Sequence, residues 1–300
     1  MYKKSNFNHS FLNNELLLYL KLLKPEQYLK NVLIFAPLFF SGSVFQFSIN
    51  HIILFLSFSV LTSSVYIFND LADLNEDKSH PLKKLRPIPS KRIKTDVAFF
   101  IAMSLFFFSI TLIYIFYKSL VFLYLIYFFQ NILYSKYLKK ILILDILIIS
   151  IGFLIRLFIG SIYFNIHLSI WLILLTLSIV FFIILVKRIV DFKNESVASV
   201  KYNSQRKFYK SKISVTCIRI NQLLILVSYS IYLIFNYSEN STNYFFSILS
   251  FVLSSFIIIR YYQSSINFNL SSPLKLLFYD KFLILPSLIW FILNIIIYYG

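Results

Sequence analysis

The sequence predicts an all-α integral membrane protein of about nine spanning helices, and three observations carry that prediction. The 300 residues are 59% hydrophobic, with 35 Phe and 22 Tyr, and the mean hydropathy is +0.76. A soluble domain of this length has too little interior to hide so much apolar surface, so lipid must be part of its solvent. The apolar residues also come in long unbroken runs with only 4 Gly, which suits helices and not barrel strands, since those alternate and need many turns. Finally, the basic residues gather on alternate loops.

Runs of spanning length lie at about 32–49, 51–68, 97–116, 119–134, 141–162, 168–186, 213–235, 244–262 and 281–298, each near the ~20 residues a bilayer requires. The fourth is short. Segments 1–30, 69–96, 135–140, 187–212 and 260–281 hold 26 of the 29 Lys and Arg, whereas the alternate loops offer only Lys118. That asymmetry places the basic loops and the N-terminus in the cytoplasm and Gly300 outside, in the cell membrane. The net charge of +17 is then a topology signal with attraction for anionic lipids and phosphates. It sits on no soluble module, which argues against nucleic acid.

Residues 1–30 are polar and basic, without the short apolar core of a removable signal. Nothing resembles a linker, so a single membrane domain over 1–300 is expected, with 1–30 at the cytoplasmic interface. The lone Cys217 excludes an internal disulfide, and the four histidines lack zinc-ligand spacing.

Chemistry concentrates after the second span. Four of the 12 acidic residues, Asp70, Asp73, Glu76 and Asp77, fall within eight positions. Asn69, Asp73 and Asp77 are spaced i, i+4, i+8, which on a continued helix keeps them on one side. Oxygen ligands of this kind suit a hard cation, and Mg²⁺ typically takes one or two carboxylates while substrate phosphates complete its shell. From His80 to Arg92, three prolines stop the helix and Lys83, Lys84, Arg86, Lys91 and Arg92 can neutralise a diphosphate. A solvated loop obeying the positive-inside rule explains the Lys and Arg but not the carboxylates. A second acidic pair, Asp191 and Glu195, again i, i+4, follows the sixth span beside Lys187 and Arg188. Alone it reads as a helical salt-bridge pattern; with the first patch it can hold a second ion or a basic substrate group.

These motifs resemble the UbiA superfamily of intramembrane prenyltransferases, which have about nine helices, an N-x-x-x-D-x-x-x-D motif after the second span and a second acidic motif after the sixth. Asn69, Asp73 and Asp77 match the first; Asp191 and Glu195 stand at the second, with Glu in place of its final Asp. Tyr134-Ser135 with Leu138-Lys139 looks like a further family element. The stretches Leu23–Val32 and His80–Ile88, Asp145 through Gly152, Arg156 and Gly160, Lys187-Arg188, and the ending from Ser272-Pro273 through Asp280 and Trp290 are similar to decaprenyl-phosphate phosphoribosyltransferases. The chain departs from that group at Lys91, where the group has Gly.

The resemblance implies that a polyprenyl phosphate attacks the anomeric carbon of phosphoribosyl diphosphate and diphosphate leaves. Asn69, Asp73, Asp77, Asp191 and Glu195 would hold Mg²⁺, with Asp73, Asp77 and Asp191 central to catalysis. Lys84, Arg86, Lys187 and Arg188 would bind the sugar donor's phosphates, Lys24, Lys30 and Asn31 the lipid phosphate, and Tyr134 and Lys139 complete the substrate set. Aromatic and aliphatic helix faces would line a groove for the tail. Arg156, deep in the fifth span, either contacts the lipid phosphate or pairs within the bundle; Asp145 is a partner or a cap. Trp171, Trp290, Tyr298 and Tyr299 read as interfacial anchors. Homo-oligomerisation is left open. The rival readings are prenyl transfer from a prenyl diphosphate to an aromatic acceptor on the same scaffold, and a lipid or solute transporter, which would place ionisable groups nearer the midplane.

Overall fold

The computed structural model describes residues 15–42, 48–141, 144–194, 207–237 and 241–299, and every regular element among them is helical. In chain order these are α1 (15–23), α2 (Ala36–Phe40), α3 (Ile49–Ala72), α4 (Leu74–Ser79), α5 (Thr95–Phe116), α6 (Val121–Lys136), α7 (Leu144–Phe164), α8 (Ile170–Asn194), α9 (Lys212–Tyr237), α10 (Ser241–Asn267), α11 (Pro273–Tyr279) and α12 (Lys281–Tyr299). Seven of them are long and apolar enough to cross a bilayer. The other two runs read as spans take shorter forms. The first becomes a 3₁₀ helix, Pro25–Phe35, followed by α2. The fourth is α6, whose 16 residues reach about 24 Å at 1.5 Å per residue.

The chain forms two compact units. One comprises residues 1–36, 45–139 and 155–165; the other comprises 37–44, 140–154 and 166–300. α7 contributes its second half to the first unit and its first half to the second.

In the first unit α3 packs against α5, α6 and the 3₁₀ segment. Its middle carries Ser57, Ser59, Thr62, Ser63 and Ser64, all buried. Small residues let membrane helices approach closely, and their hydroxyls tie the bundle. Ser64 Oγ donates to the Ala102 carbonyl at 2.7 Å, Ser109 Oγ to the Ser57 carbonyl at 2.8 Å, and Ser57 Oγ lies 2.9 Å from Tyr124 Oη. Phe58, Leu61, Phe106 and Tyr124 fill the space between. α7 ends at Asn165, whose φ of 55° is the left-handed stop common after helices.

In the second unit α8 packs on α9, and α10 on α9 and α12, around a core that includes Ile146, Leu185, Ile218 and Leu276. A buried polar network joins three helices: Tyr229 Oη meets Ser250 Oγ at 2.5 Å, Asn294 Nδ2 donates to Ser250 at 3.2 Å, and Trp290 Nε1 donates to Tyr229 Oη at 3.1 Å. Trp290, read from the sequence as an interfacial anchor, also ties the bundle through its indole. Tyr299 Oη likewise donates to the Phe39 carbonyl at 2.7 Å. Glycine suits position 42: its φ is +76°, and a Cβ would sit 3.1 Å from the Tyr298 carbonyl, so any other residue would be strained there.

Candidate active site

The first acidic motif lies where α3 gives way to α4. The helix breaks at Asp73, which closes α3 and opens α4 with φ −91° and ψ 3°. Even so, Asp73 N–H donates to the Asn69 carbonyl at 2.9 Å and Asp77 N–H to the Asp73 carbonyl at 2.8 Å. The i, i+4 rise survives the break.

Each oxygen ligand predicted from the motif already has a partner from the same unit. Asn69 Oδ1 accepts from Ser135 Oγ at 2.9 Å. Asp73 pairs with Lys139, which also reaches Glu76 at 3.8 Å. Asp77, 1% exposed, accepts from Arg86 at 2.7 Å and lies 3.8 Å from Lys83. The Tyr134–Lys139 element and the basic loop are thus folded onto the motif. Lys84 is exposed, and Tyr134 is half-buried on the last turn of α6.

Asp70 is the residue that motif spacing missed. Only 1% exposed, it accepts from Lys24 at 2.7 Å and from the same Arg86 nitrogen at 3.0 Å. Arg86 therefore bridges Asp70 and Asp77 with one terminal nitrogen. The loop that carries it is nailed down by Ile88 and Ile93, buried against Leu22, Ile67, Ala98 and Ala102. Burial lowers the Lys24 ammonium below the usual lysine range, an effect that Asp70 partly offsets.

A second polar cluster of this unit surrounds Arg156. Its Nε donates to Asn31 Oδ1 at 3.0 Å and its Nη2 to Tyr127 Oη at 2.8 Å. Its guanidinium stacks over the rings of Tyr127 and Phe58. Asn31 is oriented by its own donor, which reaches Ser59 at 3.1 Å and Thr62 at 3.2 Å. The Lys24 and Lys30 ammonium groups both lie over the Tyr66 ring, at 5.6 and 5.9 Å. Lys30 is exposed as a residue, yet its ammonium is desolvated and feels Arg156, which together bring it down to about 8.

In the second unit Arg188 faces Asp145 with two nitrogens, each 2.7 Å from a carboxylate oxygen. Asp145, at the start of α7, is a buried partner for a predicted phosphate-binding residue. Lys187 is exposed and Asp191 half-buried on the last turns of α8; Glu195 lies outside the described residues. An apolar groove of about 440 Å³ runs between α7, α8 and α9, lined by Leu147, Leu174, Phe181, Cys217 and Asn221 among others.

The donor set around Asp73 is carboxylate and amide oxygen only, as a hard divalent ion requires. Among the described residues no group of three or more His, Cys, Asp and Glu could hold a metal by itself. A divalent ion held there would need oxygens from beyond the chain to complete its shell.

Residues 32–280 match the model of the UbiA prenyltransferase family. The chain belongs to that family. A decaprenyl-phosphate phosphoribosyltransferase of Mycolicibacterium smegmatis is 32% identical over 161 residues, which cover 52% of this chain and 51% of that protein. The chain thus spans about half the length of that relative. One from Corynebacterium glutamicum is 26% identical over 281 residues, covering 90% of this chain and 83% of its own. A UbiA homolog from Archaeoglobus fulgidus, solved with GPP and Mg²⁺, superposes with a TM-score of 0.70 at 14% identity, covering 94% of this chain and all of that one. This likeness establishes a UbiA fold for the chain, with the acidic motif at the α3–α4 break.

Proposed function

We propose that this UbiA-family protein transfers 5-phosphoribose from phosphoribosyl diphosphate to a polyprenyl phosphate, releasing diphosphate, with Mg²⁺ as cofactor and the reaction on the cytoplasmic side of the cell membrane. The observation that supports the proposal is that the first unit holds two separate clusters of cationic side chains suited to phosphate. One is the carboxylate motif with Arg86, Lys83 and Lys139; the other is the Asn31–Arg156 cluster with Lys30 close by. Two phosphorylated substrates use both.

The lipid phosphate oxygen forms a bond to the anomeric carbon while the bond from that carbon to the diphosphate oxygen breaks, and the diphosphate leaves with the electron pair. The nucleophile is already anionic, so no strong base is required. Bound Mg²⁺ would neutralise charge building on the leaving group. Asn69, Asp73 and Asp77 of the first unit are assigned to it; Asp191 is a candidate metal ligand of the second unit by itself. Lys139 and Arg86, which hold those carboxylates, and Lys84 stand ready for donor phosphate. In the second unit, Arg188 and Lys187 are the candidate phosphate-binding residues. Lys30, Asn31 and Arg156 take the lipid phosphate; in the second unit the α7–α8–α9 groove is apolar, the kind of surface that hydrocarbon takes.

Prenyl transfer from a prenyl diphosphate to an aromatic acceptor is the second reading, favoured by the fold shared with the GPP-bound homolog. The two separate by assay. Labelled phosphoribosyl diphosphate should move into the lipid phase with polyprenyl phosphate and Mg²⁺, and EDTA or Asp73→Asn should stop it. Transfer instead from prenyl diphosphate to an aromatic acid would replace the proposal with the second reading.

A further inference from the structure

Tyr209 lies just before α9 and is 2% exposed, yet its hydroxyl has no hydrogen-bond partner. A buried hydroxyl without a partner is destabilising, so this one has an unused donor to offer a ligand. The ring is fixed in place: it stacks on Phe192 with centroids 5.2 Å apart and planes 17° from parallel. It shares a core with Ile146 and Ile189, the residues that follow Asp145 and Arg188. The phenol also senses both of those charges, and burial with the Asp145 carboxylate pushes it up to about 12, so near neutral pH it stays protonated and acts as a donor. Asp145 already accepts from Arg188 Nη2 on Oδ1 and is ion-paired with its Nε through Oδ2.

We infer that Tyr209 is a further donor-binding residue, whose O–H donates to a phosphate oxygen of the diphosphate-bearing substrate held by Arg188. The cation supplies charge and the phenol supplies direction, in a place too buried for the group to be satisfied by bulk water. This assignment rests on the phosphoribosyl reading for the identity of the substrate, but it makes its own claim about anion binding.

The test is Tyr209→Phe in the full-length protein in detergent. Because the hydroxyl bonds to nothing in the protein, the variant should melt at or above the wild-type temperature. A hydrogen bond to a charged group is worth roughly tenfold in affinity. The KM for phosphoribosyl diphosphate and the Kd for inorganic diphosphate, measured by calorimetry with Mg²⁺ present, should each rise about that much, with the KM for polyprenyl phosphate unmoved. Unchanged diphosphate affinity in the variant overturns the inference and leaves the phosphoribosyl reading standing. A wild type that binds inorganic diphosphate through Tyr209 but transfers no ribose overturns that reading and leaves the inference standing. A wild type that binds neither diphosphate overturns both.

Discussion

Asn31 Oδ1 accepts a hydrogen bond from Arg156 Nε at 3.0 Å, joining the start of the first apolar run to the second half of α7. The arginine is 3% exposed inside a spanning helix, and an intramembrane charge of this kind marks a functional position or a structural tie. Asn31→Asp separates the two, because it keeps an acceptor for Nε and adds a negative charge. Thermal stability should hold, while the KM for polyprenyl phosphate rises at least about tenfold, the order expected for losing a charged contact. Arg156→Met should lower thermal stability and raise that KM, since Tyr127 and Asn31 lose their donor and the lipid phosphate loses its cation.

The lowered ammonium of Lys30 gives a pH signature. Its pKa of about 8 stands below the ordinary 10.5 because of desolvation first and Arg156 second. The charged form, which would bind lipid phosphate, is present below about 8 and lost as pH rises through it. Affinity for polyprenyl phosphate should therefore fall on the alkaline side of pH 8, and Lys30→Arg should flatten that limb, measured as KM from pH 7 to 10. Stability moves the other way. The fold disfavours the charged lysine, so melting temperature should rise between about pH 8 and the unfolded value near 10.5, and then level.

Lys91 adopts φ 61°, a left-handed conformation that costs an L-residue roughly 1–2 kcal/mol. It closes the turn in which its N–H donates to the Ile88 carbonyl at 3.0 Å. Lys91→Gly should raise stability by about 1 kcal/mol, read as a higher melting temperature, with Lys91→Ala giving no such gain.

Asp70 should matter for the shape of the site. It is the shared counter-ion of Lys24 and Arg86, and removing one partner of a buried pair costs about 3–5 kcal/mol. Asp70→Asn should destabilise by that order. A double-mutant cycle with Lys24→Met should show clear coupling, and additive losses would contradict the pairing.

The elements legible in the sequence were those written as periodic or compositional signals. The long spans follow from unbroken apolar runs, and the acidic motif from its i, i+4 spacing, which persists although the helix breaks at Asp73. Lys91 stood out in the sequence as a departure from the group's glycine, and the structure adds the left-handed φ at that position. What sequence could not show was pairing at a distance. Asp70 was eclipsed by its regularly spaced neighbours, and its role depends on Lys24 and Arg86, which are 46 and 16 residues away. Trp290 near a chain end carries the pattern of an interfacial anchor, and only packing brings Tyr229 to its indole. Tyr209 gave no local signal, because a hydroxyl without a partner is a property of the folded surroundings.

The central claim is the identity of the product. Mass spectrometry of the lipid formed from polyprenyl phosphate, phosphoribosyl diphosphate and Mg²⁺ should show the acceptor increased by one 5-phosphoribosyl group, with one diphosphate released per product. An acceptor of unchanged mass, alongside prenylated aromatic product when a prenyl diphosphate is supplied, would contradict it.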